Sequence, residues 1–123
     1  MLREPHILFV DDDADTREMV QILLHQAGFK VSIATHPDDV LTLTTSQKFD
    51  AIVLDNWMPD LTGIEVCRHI RTHDQSTPII FCSGAVTDKD IAAAKAAGAH
   101  DYIEKPFDPD RLIEVLRSSI KLT

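Results

Sequence analysis

The stretch "AIVLDNWMPDLTGIEVC", Ala51 to Cys67, holds a complete strand-to-helix unit. It begins as an apolar strand, Ala51 to Asp55, whose last residue is an acid. An amide, the only tryptophan and a Met-Pro pair follow. Thr62 and Glu65 then have the spacing of a capping box, in which the threonine accepts from a backbone amide three residues on and the glutamate reaches back. Val66, Cys67 and Ile70 continue at helical spacing. A buried strand feeding a capped helix is half of a parallel crossover, so the chain is read for further copies of this unit.

Four more appear. Apolar runs lie at His6 to Val10, Lys30 to Ala34, Pro78 to Cys82 and Asp101 to Glu104, several of them nearly continuous Val, Ile, Leu and Phe. Such runs suit central strands covered on both faces. Helical segments alternate with them. Asp15 to Ala27 places Met19, Ile22, Leu23 and Ala27 on one stripe, stopped by Gly28. In "HPDDVLTLTTSQKF" the β-branched residues favour a strand, but His36-Pro37 ahead of two aspartates opens a helix, and a helix is predicted. Thr87 and Asp90 resemble a second capping box ahead of Ile91 to Ala97, stopped by Gly98. Asp108-Pro109 is an N-cap and first-turn proline ahead of Leu112, Ile113 and Leu116. The expected fold is α/β: a five-stranded parallel sheet, doubly wound as (βα)5, a flavodoxin-like three-layer sandwich.

Composition bounds the function. The 123 residues fit one domain, 1–123, with 44% hydrophobic and 26% charged residues. The net charge of -8 argues against nucleic-acid binding and suits a cation site or a basic partner. No apolar run reaches membrane-span length, and "MLREPHILFV" lacks the pattern of a signal peptide. Cys67 and Cys82 form no CxxC and read as reduced core thiols, which places the chain in the cytoplasm. His69 and His73 have metal-compatible spacing without a third ligand.

In doubly wound sheets, ligands bind beyond the carboxyl ends of the strands. There the sequence puts "DDD" (Asp11 to Asp13), Asp55, Ser83-Gly84 and Lys105-Pro106. Each alone has a plain structural reading: a solvated turn, a strand exit, a cap. Together they differ, because carboxylates ~4 Å apart repel by about 4 kcal/mol at an effective dielectric near 20. A cation compensates such a cluster, and hard oxygen ligands on loops suit Mg²⁺.

The motifs "ILFVDDD", "IVLDNWMPDLTG", "PIIFCSG" and "AAGAHDYIEKPF" resemble those of the response-regulator receiver domains of two-component signalling, close to the single-domain chemotaxis type, over nearly the whole chain. The resemblance implies a phosphoacceptor at Asp55, loaded by a sensor histidine kinase or a phosphotransfer protein. It implies Mg²⁺ held by Asp12, Asp55 and the carbonyl of Trp57, with Asp11 acting largely through water. Ser83 becomes the switch hydroxyl, Lys105 the active-site lysine, Tyr102 the switch aromatic, and Lys105-Pro106 a cis bond. The expected output is a changed surface on helix four, strand five and helix five, offered to an output domain, a protein target or a second copy of the chain. No turnover of a separate substrate is expected, only self-phosphorylation and its reversal.

Charge agrees with that transfer. Asp11, Asp12 and Asp55 carry -3, which Mg²⁺ and Lys105 balance, and a phosphoryl group of about -2 on Asp55 leaves the site at roughly -1. Three alternatives are weighed. A strand-end aspartate phosphatase would need DxDx[TV], but Asp15 stands two past Asp13. A flavodoxin-like carrier would set an anionic cofactor against acids. A receiver-like interaction module working without phosphorylation is the alternative that the complete set Asp11, Asp12, Asp55, Ser83 and Lys105 opposes. Trp57 and Ala85 depart from the family pattern, being apolar where polar side chains commonly flank the acyl phosphate. A long-lived phosphoryl group follows. Combining Trp57→Asn with Ala85→Glu is expected to speed its loss about tenfold, a barrier change of about 1.4 kcal/mol, read by dephosphorylation rates at saturating Mg²⁺.

Overall fold

A computed structural model describes residues 4–56, 62–84 and 87–120. The elements run β1 (His6–Val10), α1 (Ala14–Gln26), β2 (Lys30–Ala34), α2 (Pro37–Ser46), β3 (Ala51–Leu54), α3 (Gly63–Arg71), β4 (Ile79–Ser83), α4 (Asp88–Ala97), β5 (Asp101–Glu104) and α5 (Pro109–Ile120). All strand pairs are parallel, in the order β2-β1-β3-β4-β5. The chain therefore winds outward in opposite directions on either side of β1 and β3, which makes that junction the switch point of the sheet.

Strand alternation sorts the core into two layers. Leu8, Val10, Ile52, Leu54, Ile79 and Phe81 face α2, α3 and α4, where they meet Val40, Val66, Cys67, Ile70 and Ala94. Ile7, Phe9, Ala51, Val53, Ile80 and Cys82 face α1 and α5, against Val20, Leu24, Leu112, Val115 and Leu116. Burying one such side chain contributes about 1.5–3 kcal/mol, so these contacts, more than helix propensity, hold the layers together. Among the described residues no helix is long and apolar enough to cross a membrane.

The helix ends follow their local chemistry. Thr62 with Glu65 and Thr87 with Asp90 both form reciprocal capping boxes. Gly28 and Gly98 take φ values of 94° and 110°, the left-handed conformation that ends a helix without a Cβ clash. The β-branched run of α2 stays helical. His36 caps it through Nδ1, and the hydroxyls of Thr42 and Thr45 donate back to the carbonyls of Asp38 and Leu41.

Two expectations need correction. The buried stripe of α1 is Val20 and Leu24, one position away from the expected one; Met19 and Ile22 are 43% and 52% exposed. Leu23 and Ala27 lie on its flank. Asp13 caps the helix by accepting from the Thr16 amide, so it starts at Ala14 and its face is set by α5 and β2, not by the densest apolar spacing. The fourth strand also runs one residue later than expected, ending on Ser83, because Ser83 still pairs with Glu104 of β5.

Beyond α3, Asp74 ties the turn that enters β4. Partial burial pushes its carboxyl up, but the Thr77 hydroxyl and the amides of Thr77 and Ser76 outweigh burial and hold it at about 2. A depressed folded value stabilises the protein above the ordinary carboxylate range, and the contribution is lost as pH falls through about 2. Asp74→Asn is therefore expected to lower urea stability at pH 5 and to flatten its decline between pH 4 and 2. Parallel pH profiles for the two proteins would show that the turn does not depend on this charge.

Candidate functional site

Hydrogen bonds that continue the ladder beyond the strands build the site. The Asp11 amide donates to the Ala34 carbonyl (3.3 Å), the Asp55 amide to the Val10 carbonyl (3.1 Å) and the Lys105 amide to the Ser83 carbonyl (2.9 Å). Val10 and Leu54 are register partners, so the residues that follow them, Asp11 and Asp55, emerge side by side at the switch point. Asp12 stands exposed next to them. Carboxylate oxygens of Asp11, Asp12 and Asp55 all lie within 4.8 Å of one another.

Asp11 is 1% exposed and Asp55 8%, so their charges need partners. Lys105 Nζ lies 2.5 Å from Asp11 Oδ2 and 3.5 Å from Asp55 Oδ2. Burial alone would lower the lysine, but its hydrogen bond to Asp11 and the charge of Asp55 outweigh it and raise the amine above its ordinary value. It is therefore charged throughout the neutral range. Ser83 Oγ donates to Asp55 Oδ1 at 3.2 Å. The Lys105-Pro106 peptide is cis. A groove of about 400 Å³ lined by Thr16, Met19, Lys105, Pro106 and Phe107 opens beside the amine.

The structure thus brings together Asp11, Asp12, Asp55, Ser83 and Lys105. Tyr102 packs on Phe81, ring centroids 5.6 Å apart. Burial raises the tyrosine above its ordinary value, and the nearby Ser83 and Asn56 side chains offset the rise only in part. Trp57 and Ala85 lie outside the described residues. Cys82, directly below the site, is inert: burial pushes its thiol up to about 12.

Three contributors escaped the sequence reading. Arg17 Nη1 donates to the Asp11 carbonyl at 3.0 Å, bracing the acidic loop from α1. Asn56 is 3% exposed and its Oδ1 has no hydrogen-bond partner among the described residues. An orphaned buried carbonyl costs about 1–3 kcal/mol. Gly63, whose amide donates to the Asn56 carbonyl at 2.9 Å, has no room for a side chain. A Cβ there would stand 2.8 Å from the Asp55 carbonyl oxygen and 2.9 Å from the Asn56 Cα. A glycine in the first turn of a helix was the available signal, since glycine is a poor helix former. Gly63→Ala is expected to cost about 1–3 kcal/mol through overpacking. Because backbone must shift, the Asp55 to Asn56 peptide moves with it, so the placement of Asp55 against Ser83 and Lys105 should also change. Wild-type urea stability in that variant would show that α3 can retreat freely.

The donor set fits a hard divalent cation. Three carboxylates converge, one is open to water, and the nearby lysine leaves a net charge of -2 for a cation to neutralise.

Comparison with known proteins agrees with this geometry. Residues 7–117 match the family described as response regulator receiver domain. Response regulator MprA of Mycolicibacterium vanbaalenii is 37% identical over 117 residues, covering 95% of this chain and 51% of the relative. The chain spans about half the length of the curated relatives it matches. A putative response regulator from Chloroflexus aurantiacus superposes with a TM-score of 0.92 at 28% identity, covering 98% of this chain and 100% of that one. The receiver domain of sensor histidine kinase PA1611 from Pseudomonas aeruginosa, solved with a magnesium ion coordinated in its active site cleft, gives 0.89 at 26% identity, covering 97% and 99%.

Proposed function

Because this chain belongs to the response regulator receiver domain family, we propose that Asp55 is the residue on which it accepts a phosphoryl group. The observation that carries the assignment is the pairing of Asp55 with both Ser83 and Lys105 at the switch point of the sheet. Asp11 is taken up by Lys105 and by the Asp13 amide, which leaves Asp55 as the acceptor within reach of a hydroxyl and a lysine at once.

In this reading Asp12, Asp55 and the Trp57 carbonyl would hold Mg²⁺, with Asp11 contributing largely through water. Bound there, the ion supplies charge neutralisation for the incoming phosphoryl oxygens. The chain's own groups do the rest. Asp55 supplies the nucleophilic oxygen. Lys105 stabilises negative charge developing on the phosphoryl group. Ser83 has its proton aimed into the site and can turn it from Asp55 Oδ1 to a phosphoryl oxygen, drawing the start of the β4–α4 loop inward. Tyr102, the register partner of Phe81 two residues before Ser83, passes that movement to the face formed by α4, β5 and α5. The donor is a sensor histidine kinase or phosphotransfer protein, and the reader of that face is an output domain, a protein target or a second copy.

Acetyl phosphate with Mg²⁺ tests the reading by intact mass. One phosphoryl addition, absent when the metal is chelated before the donor is added, is the expected result. No addition at saturating Mg²⁺ would instead favour a receiver-like module that works without phosphorylation.

A further inference from the structure

We infer that Arg17 is a positioning residue for the cation: by holding the Asp11 carbonyl it fixes the peptide that joins Asp11 to Asp12, and so aims the Asp12 carboxylate toward Asp11 and Asp55. The inference rests on reading the three acids as a Mg²⁺ site.

The three acids are not held alike. Asp11 is bound at both oxygens, at Oδ2 by Lys105 and at Oδ1 by the Asp13 amide (2.9 Å). Asp55 has Ser83 at one oxygen and Lys105 3.5 Å from the other. Asp12 is exposed, and among the described residues no side chain or amide holds its carboxylate. Yet an Asp12 oxygen lies within 4.8 Å of oxygens from the two held acids. Like charges repel at that separation, so the carboxylate would turn away into water if its backbone were free to turn. What restrains Asp12 is its main chain.

Arg17 grips that main chain at two points. Its own amide donates to the Asp13 carbonyl at 3.0 Å, in the first turn of α1, and its Nη1 donates to the Asp11 carbonyl at 3.0 Å. A peptide unit is planar, so fixing the Asp11 carbonyl fixes the Asp12 amide and sets the direction in which the Asp12 side chain leaves. The donor is charged, which makes the bond roughly twice as strong as a neutral one. A guanidinium beside three carboxylates could have been spent on one of them. Instead Nη1 ends on a carbonyl, and both Asp12 oxygens stay open for a cation. A ligand aimed before the ion arrives binds it more tightly, because less freedom is lost on binding. Groups that orient a metal's ligands typically carry about 10–100-fold of the affinity. Coulomb's law pulls the other way. Removing a positive charge beside a cation site tightens binding, whereas removing a positioning residue loosens it.

The test titrates Mg²⁺ alone into wild type, Arg17→Met, Asp12→Asn and the double variant, with binding read from backbone amide signals by NMR. Arg17→Lys, which keeps both charge and donor, is carried alongside, and thermal unfolding without metal checks that each variant is folded. Arg17→Met is expected to weaken Mg²⁺ binding about tenfold. In metal-free protein it should shift the Asp12 amide signal while those of Asp55 and Ser83 stay in place. Arg17→Lys should recover most of the affinity, which a returned positive charge alone would lower. In the Asp12→Asn background, Arg17→Met should weaken binding no further. Unchanged or tighter binding by folded Arg17→Met would overturn the inference, as would an equal loss in both backgrounds. A wild type that binds no Mg²⁺ would instead refute the cation site itself.

Discussion

Asp55→Asn is expected to abolish phosphorylation by acetyl phosphate while leaving the protein as stable as wild type or more so. The amide has nearly the shape of the carboxylate, so it fits the same enclosed position. Its Oδ1 can still accept from Ser83 Oγ, which donates to Asp55 at 3.2 Å. What is lost is the anionic oxygen that would attack phosphorus and form the acyl phosphate. What is gained is relief of repulsion: Asp11, Asp12 and Asp55 present oxygens within 4.8 Å of one another, and like charges at that range repel on the order of 3 kcal/mol at an effective dielectric near 20. The variant also removes one of three charges from the cation site, so Mg²⁺ binding should weaken. Intact mass after incubation with acetyl phosphate and Mg²⁺ reads the first effect, urea titration without metal the second. Undiminished labelling of Asp55→Asn would place the acceptor elsewhere.

Lys105→Met should move stability and rate through different physics. In metal-free protein, the lysine compensates two buried carboxylates at 2.5 and 3.5 Å. Removing one partner of a buried pair costs about 3–5 kcal/mol, because the other charge stays enclosed. Saturating Mg²⁺ supplies positive charge at the same acids, so most of that loss should return on its addition. The rate should not return. A fixed positive donor at a site of developing charge is worth roughly 10²–10³-fold, and a metal held by the acids does not occupy the lysine's position. Phosphorylation is expected to fall about a hundredfold even with the metal saturating. In the wild type, the raised lysine value means its stabilisation is complete below the ordinary 10.5 and is lost as pH climbs through the raised one; the Met variant should lack that alkaline limb. A rate within threefold of wild type would remove Lys105 from the chemistry.

Much of this molecule is determined by the order of its residues. Continuous apolar runs such as "HILFV" and "PIIFC" can sit only where both faces are covered, and the capping threonines and stop glycines mark where helices begin and end. Those are local properties, set by steric limits and by hydrogen bonds a few residues apart. The parallel sheet follows from their alternation. That Asp11, Asp55, Ser83 and Lys105 lie near strand ends was therefore legible. Which face of a helix turns inward was less so: Met19 and Ile22 satisfy the helical spacing of α1 yet remain exposed, because Val20 and Leu24 meet the sheet and α5. Spacing defines a stripe only to within one residue when apolar side chains occupy adjacent positions. The closing details belong to the tertiary structure alone. The absence of room at Gly63 is created by the Asp55 and Asn56 backbone, and the brace on Asp11 comes from Arg17, six residues on. The ring contact between Phe81 and Tyr102 ties β4 to β5. Such contacts depend on distances between separately folded elements, which only packing sets, and it is packing that turns a row of strand-end acids into one charged, enclosed site.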